Sequence, residues 1–312
     1  MIKLSHGVEK DSFREQYPMK IFDCTTYYSE DLMLEVRFNI LNEHVHKFII
    51  VESKYSHSGK KKELNFNIDN FKKFKDKIVY LVIENEPENI MDVSDPKSSI
   101  YIKRMNSLKR IEQSYDYMLN GIKDASDEDL IILNDNDEIP NLNSKQFHAS
   151  KKKIIIFEQL FCYYKFNLLY DLVPWYGSRA CKKKYLKSFS WLKNLKNKKY
   201  PFWRIDTLLS NYKEISVDII KDGGWHFTNV MSPEKLFNKL NNFGHHNEFE
   251  LSNISINDLK EQIENKMVNY NHLADKTDQN KYKFNYKLKN LDNELLPEFL
   301  RLNKTLYKDW FN

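Results

Sequence analysis

The sequence predicts an α/β fold built on a mostly parallel central sheet with helices on both faces. Two observations carry that expectation. Short, nearly continuous apolar runs alternate with amphipathic segments through the first half of the chain, as in sheets buried on both faces. The 312 residues are 41% hydrophobic, enough for a sizeable core, and only 7 glycines and 8 prolines are present, so no flexible linker divides the chain.

The elements follow in order. "MKIFDCT" (19–25) reads as a strand. "DLMLEVRFNILNEH" (31–44) places Leu34, Phe38, Leu41 and Val45 at helical spacing. "KFIIVES" (47–53) and "IVYLVIE" (78–84) read as buried strands on either side of a helical "IDNFKKFKDK". A long helix is predicted over 100–122, closed by Gly121, and "DLIILN" (129–134) is the next strand. The second half is less regular. Residues 152–169 read as an edge or meander strand, and 174–186 as a strand turning into a helix. Residues 214–228 read as a strand broken at Gly223-Gly224, and everything from about 256 as a charged helical extension. The expected organisation is an N-terminal arm (1–18), a main domain (19–250) with halves meeting near 140, and the extension (251–312).

Composition narrows the function. Net charge is +5, and acids interleave with the lysines, so no nucleic-acid partner is expected. The basic runs "SGKKKE" (58–63) and "KNLKNKKY" (193–200) read as solvated loops. Three cysteines at no metal-binding spacing fit a reducing compartment. With no apolar stretch of membrane-spanning length and no signal-peptide core, a soluble, cytoplasmic protein is expected.

Chemistry concentrates in three segments. In "NDNDEIP" (134–140), Asp135, Asp137 and Glu138 stand at a predicted strand end, where α/β sheets bind ligands. Two readings stay open there: an Asx-rich turn, or a pair of hard oxygen ligands for Mg²⁺ or Mn²⁺ that bridge nucleotide phosphates. "DGGWHF" (222–227) offers Trp225 as a stacking face and His226 as a metal ligand, or else a turn with a packed tryptophan. In "PWYGSRA" (174–180), Gly177 would let a substrate lie on the backbone while Tyr176 and Arg179 reach sugar hydroxyls or a phosphate.

Taken together, these segments resemble glycosyltransferase family 17, typified by the enzyme that adds the bisecting β-1,4-linked N-acetylglucosamine to N-glycans. The family's acidic "NELDLLEIR"-like helix is similar to Ser29 through Arg37, its "VES/VEA" strand end to Val51-Glu52-Ser53, and its "TFTGKPK"-like loop to Ser56 through Lys60. Its "SDVDEIP" resembles residues 134–140 and its "GGWHFS" resembles residues 223–228. Its "K-SFAHxE" segment resembles Lys239 through Phe243 with His246 to Glu248. The likeness runs from about 19 to 249. It departs where the family has a Gln-Arg pair in the long helix: this chain has Gln113-Ser114, leaving Arg104 or Arg110 to supply the charge.

The resemblance implies a GT-A-type, Rossmann-like fold and inverting transfer of a sugar, N-acetylglucosamine by analogy, from a UDP-sugar to a glycan or other hydroxyl acceptor. It implies Mn²⁺ or Mg²⁺ held by Asp137 with Asp135 and His226. It implies donor contacts from Asp135, Glu52, Arg37, Arg104, Arg110 and Lys60. Substrate contacts would come from Glu138, Trp175, Tyr176, Gly177, Arg179, Trp225 and His246. Asp206, Glu158 and Asp222 are the candidates for general base. Two other readings compete: a metal-dependent phosphoryl-transfer enzyme or nuclease, which needs further carboxylates such as Glu52 and Glu84 around two metals, and an inactive glycan-binding module.

Overall fold

The computed structural model describes residues 19–93, 100–201, 203–207, 209–242, 246–274, 278 and 280–312; the expected arm, 1–18, lies outside them. An 11-stranded mixed sheet forms the centre. Its first half is parallel. β1 (Ile21–Tyr27), β2 (Lys47–Ser53), β3 (Ile78–Ile83) and β4 (Leu130–Asn134) pair in the order β4-β1-β2-β3. The crossovers are α1 (Asp31–Leu41), a kinked 3₁₀ segment (Ile68–Lys77) and α2 (Ile100–Asp116). β1, β2 and β4 are buried almost throughout, which is why they read as unbroken apolar runs.

The second half is mixed. After β5 (Glu138–Pro140) and the short α3 (Lys145–Ala149), the ten-residue β6 (Ile154–Tyr163) lies inside the sheet and not at its edge. β6 pairs with β7 (Leu168–Leu169) and β8 (Trp175–Lys182) antiparallel, and with β9 (Val217–Ile220) and β10 (Gly224–Thr228) parallel. β8 also pairs antiparallel with β4, joining the halves. The helix after β8 is only a 3₁₀ turn, and α4 (Phe189–Asn194) follows it. The predicted break at Gly223-Gly224 separates β9 from β10, and β10 also pairs with β5.

The C-terminal part is helical in α5 (Pro233–Asn242), α6 (His246–Ser252), α7 (Ile256–Glu264) and α8 (Glu298–Leu302). Between α7 and α8 the described residues form turns and three two-residue strands. β11 (Met267–Val268) pairs with β12 (Tyr286–Lys287), and β13 (Lys289–Asn290) joins β7 at the sheet edge. Leu296, Leu300, Tyr307 and Phe311 enter the same core as α1, β1 and β4. The three cysteines are free and buried. No helix among the described residues is long and apolar enough to cross a membrane.

Candidate active site

A cavity of about 350 Å³ opens at the carboxyl ends of β1, β2 and β4, the place where open α/β sheets bind ligands. Its floor is the acid loop between β4 and β5. A charged network inside the core pins that loop from below. Arg37, fully buried, donates Nε and a terminal nitrogen to the two Asp23 oxygens at 2.6 Å each, and another nitrogen to the Glu138 carbonyl at 2.6 Å. Asn134 donates to the same Asp23 carboxylate at 2.7 Å. Arg37 therefore sets the loop's backbone and does not line the cavity.

Asp135 and Asp137 both line the cavity. Asp135 accepts from the Tyr115 hydroxyl (2.7 Å) and from Lys193 Nζ (2.9 Å). Burial alone would push its carboxyl up, but the Lys193 ammonium and the phenol hold it below the usual carboxylate range. Asp137 Oδ1 lies 3.4 Å from His226 Nε2, and Asp137 Oδ2 lies 3.8 Å from Lys239 Nζ. Burial opposes ionisation here too, and the neighbouring His226 ring and Lys239 ammonium overcome it, holding the Asp137 carboxyl below the usual carboxylate range. Glu138 sits behind the floor, 1% exposed. It accepts from Trp175 Nε1 (3.1 Å) and the Asp135 amide (3.0 Å), and burial raises its pKa.

His226 is fixed by aromatic packing. Its ring stacks on Trp175 (4.1 Å between centroids) and Phe161 (4.8 Å). Strand alternation puts His226 and Thr228 on the cavity side of β10 and sends Trp225 to the other face. There Trp225 packs on the main core and donates to the Leu295 carbonyl at 2.8 Å; the expected stacking role does not fit that position. The cavity roof comes from α5 through Leu236 and Lys239, from α7 through Leu259 and Gln262, and from Tyr270, His272 and Tyr282, which lie between β11 and β12.

Several sequence expectations are corrected by position. Tyr176 points into the apolar layer opposite Trp175. Gly177 makes room for side chains, not substrate: a Cβ there would fall 1.9 Å from Gln159 Oε1 and 3.0 Å from Glu138 Cδ. Arg179 is buried and donates to the carbonyls of Leu192 and Leu195 and to Asn197. Glu52 is sealed under the loop after β2, accepting from Lys62, the Asn65 and Phe66 amides and Tyr80. Arg104 pairs with Glu248 (3.5 Å) and Arg110 with Glu86 (2.7 Å). Arg110, Lys60 and His246 line a separate, smaller cavity.

None of the three base candidates lines the main cavity. Asp206 is held by Arg204 and Lys213, Glu158 by Lys221 at 2.6 Å, and Asp222 accepts from Ser144 Oγ at 2.5 Å. Sequence reasoning also missed functional-site residues. Lys193 sits in a run read as a solvated loop, yet it is the counter-ion of Asp135 and lies 3.5 Å from Glu138. Glu30, His57, Tyr115 and Lys239 also line the cavity; the first two and Lys239 belong to the segments that resemble the family, and Tyr115 belongs to none of them.

The donor set can be judged against a divalent ion. Among the described residues no three His, Cys, Asp or Glu side chains stand together as a complete metal cage. Asp137 and His226 do present an oxygen and a nitrogen 3.4 Å apart toward the cavity. Mg²⁺-type ions are commonly held by one or two protein ligands and completed by substrate phosphates, and the pair fits an ion bound in that way. The two-metal phosphoryl-transfer arrangement finds no support: Glu52 is sealed under its loop, and Glu84 pairs with Lys54 at the surface.

No curated protein matches the chain. A family model does, that of glycosyltransferase family 17, over residues 5–181, which include β1 through all but the last residue of β8 and therefore the acid loop. That match spans more than half of the sequence, and the chain belongs to glycosyltransferase family 17.

Proposed function

We propose that this glycosyltransferase moves a sugar from a nucleoside diphosphate donor, UDP-N-acetylglucosamine by family analogy, to a glycan or other hydroxyl acceptor, with inversion at the anomeric carbon. The observation that carries the reading is the Asp137–His226 pair at the cavity floor, beyond the carboxyl ends of parallel strands. Charge balance supports it. Around the floor four carboxylates (Glu30, Asp135, Asp137 and Glu138) meet two ammonium groups, Lys193 and Lys239, while the third lysine of the cavity wall, Lys62, is paired with Glu52. A diphosphate adds further negative charge and needs a cation to enter. Asp137 and His226 would hold Mn²⁺ or Mg²⁺, which supplies neutralisation of the charge developing on the departing diphosphate.

The chain's own residues do the rest. Tyr115 and Lys193 fix Asp135, and Arg37 fixes the loop backbone, so the floor is rigid before substrate arrives. Trp175 and Phe161 lock the His226 ring. The acceptor hydroxyl is the nucleophile, in a cavity lined above by the apolar side chains of Leu236, Leu240 and Leu259. Its proton passes to a group that lines the cavity, a condition that Asp206, Glu158 and Asp222 do not meet. Calorimetry of UDP with and without Mn²⁺, on the intact chain and on Asp137→Ala, tests the reading. Metal-dependent binding that the substitution abolishes is expected. Absence of UDP binding under every metal condition removes the UDP-sugar assignment.

A further inference from the structure

We propose that Lys239 is a catalytic residue whose ammonium binds the departing diphosphate of the donor. The inference rests on the nucleoside-diphosphate reading above and adds to it a protein cation at the leaving group.

Helix α5 presents Leu236, Lys239 and Leu240, at i, i+3 and i+4 spacing, to the cavity, and Asn242 at its end also lines it. A lysine on that face carries a desolvation cost of several kcal/mol that a leucine would not, and before substrate arrives the carboxylates of Glu30 and Asp137 offset it. The Lys239 side chain is only 17% exposed. Its Nζ lies 3.7 Å from Glu30 Oε1 and 3.8 Å from Asp137 Oδ2. Both separations exceed the roughly 2.7–2.9 Å of a charge-assisted hydrogen bond. The ammonium lines the cavity beside the two carboxylates and can turn to a phosphate oxygen without breaking a short bond. The helix is anchored so that this ammonium is positioned: Ser58 Oγ, in the turn after β2, donates to Asn242 Oδ1 at 3.3 Å.

In the step so assisted, the acceptor oxygen bonds to the anomeric carbon as the bond from that carbon to the phosphate oxygen breaks. The electron pair of the broken bond goes to the diphosphate, and the acceptor proton goes to a base. Lys239 hydrogen-bonds the oxygen that gains charge, so its contribution grows along the reaction.

The test is calorimetry on the full chain with Mn²⁺, titrating UDP, inorganic pyrophosphate and uridine into wild type, Lys239→Met and Lys239→Arg, each first shown by thermal melting to be folded. Lys239→Met is expected to weaken UDP and pyrophosphate at least tenfold and leave uridine unchanged, and Lys239→Arg to recover most of the loss. Should Lys239→Met melt below the assay temperature, Lys239→Gln replaces it. A folded, uncharged variant that binds UDP and pyrophosphate as wild type does overturns the role of Lys239 and leaves the donor reading standing. An equal loss of uridine affinity also overturns it, since the lysine would then only shape the pocket. Lysine-dependent pyrophosphate binding without UDP binding supports Lys239 as a diphosphate ligand and removes the uridine donor. Wild type that binds neither overturns both.

Discussion

Glu138 shows how much the site depends on single atoms. Each of its oxygens has a job: one accepts from Trp175 Nε1, the other from the Asp135 amide. Glu138→Gln keeps the shape but leaves only one acceptor oxygen and turns an NH₂ toward a donor. An unsatisfied buried group of this kind costs about 1–3 kcal/mol, so the melting temperature should fall by several degrees; an unchanged melt would mean that the two contacts are not both made. His57 carries a pH signature. Burial pushes its imidazole down to about 4, against the pull of Asp135 and Glu30. The unfolded chain takes up a proton near pH 6.5 while the folded chain does not until about pH 4. A depressed histidine therefore makes stability fall as pH drops through that window, and stability is fully present above it. Because the ring is only half-buried in the cavity wall, the loss should be about 2 kcal/mol. Urea unfolding between pH 7.5 and 4.5 should show the slope in wild type and a shallower one in His57→Gln; coincident slopes would remove His57 as its source. Asp137, also held low, gives a slope of the same sign in a more acid window: its contribution stands above about pH 4 and is lost as the pH falls further.

At the scale of elements, the strand pair β5–β10 brings the two halves of the site together. His226 lies across from Glu138 in that register. The pairing needs Gly224, whose φ is +111° and where a Cβ would fall 2.2 Å from the Ile139 carbonyl oxygen. Gly224→Ala sets side chain against backbone with no flexible atom to yield, and should cost about 3 kcal/mol or more. It should also displace His226 and abolish Mn²⁺-dependent UDP binding, read by melting and calorimetry together; a stable variant with full UDP binding would show that the approach is not rigid. This pair also marks what the sequence could reveal. The break at Gly223-Gly224 was legible because glycines punctuate strands, Asp135 and Asp137 because acids just past a strand end are conspicuous, and His226 because it follows the glycine pair within one short motif. Which face Trp225 or His226 takes was not legible, since alternation has no sign until the partner strand is known. Lys193 escaped for a related reason: in sequence it belongs to a basic run, and only the packing of α4 against α2 and β4 turns it toward Asp135. The two-residue strands β7, β11, β12 and β13 carry too few residues for any periodicity to register.

At the scale of the whole molecule, the site is closed by parts of the chain that come last. The family match ends at residue 181, yet His226, Lys239, Tyr270, His272 and Tyr282 all line the cavity. The final segment does not line it, but it joins the core that carries it. Phe311 and Tyr307 pack on Phe166, which packs in turn on Phe227 of β10, next to His226. The Tyr307 hydroxyl donates to Glu35 of α1 at 3.0 Å, tying the end of the chain to the first crossover helix. Leu296, Leu300, Tyr307 and Phe311 are each at least nine-tenths buried. At about 1.5–3 kcal/mol for each large apolar side chain, their removal approaches the whole net stability of an ordinary domain, about 5–15 kcal/mol. Deleting residues 296–312 should therefore abolish cooperative melting and leave the chain open to limited proteolysis. Phe311→Ala, a smaller insult, should cost about 3–5 kcal/mol and still bind UDP with Mn²⁺ as wild type does at low temperature, because Phe311 touches the site only through the core. A truncated chain that melts cooperatively and binds UDP normally would make the tail an appendage; a Phe311→Ala variant that is folded but has lost UDP affinity would show that the packing behind β10 sets the geometry of His226 directly.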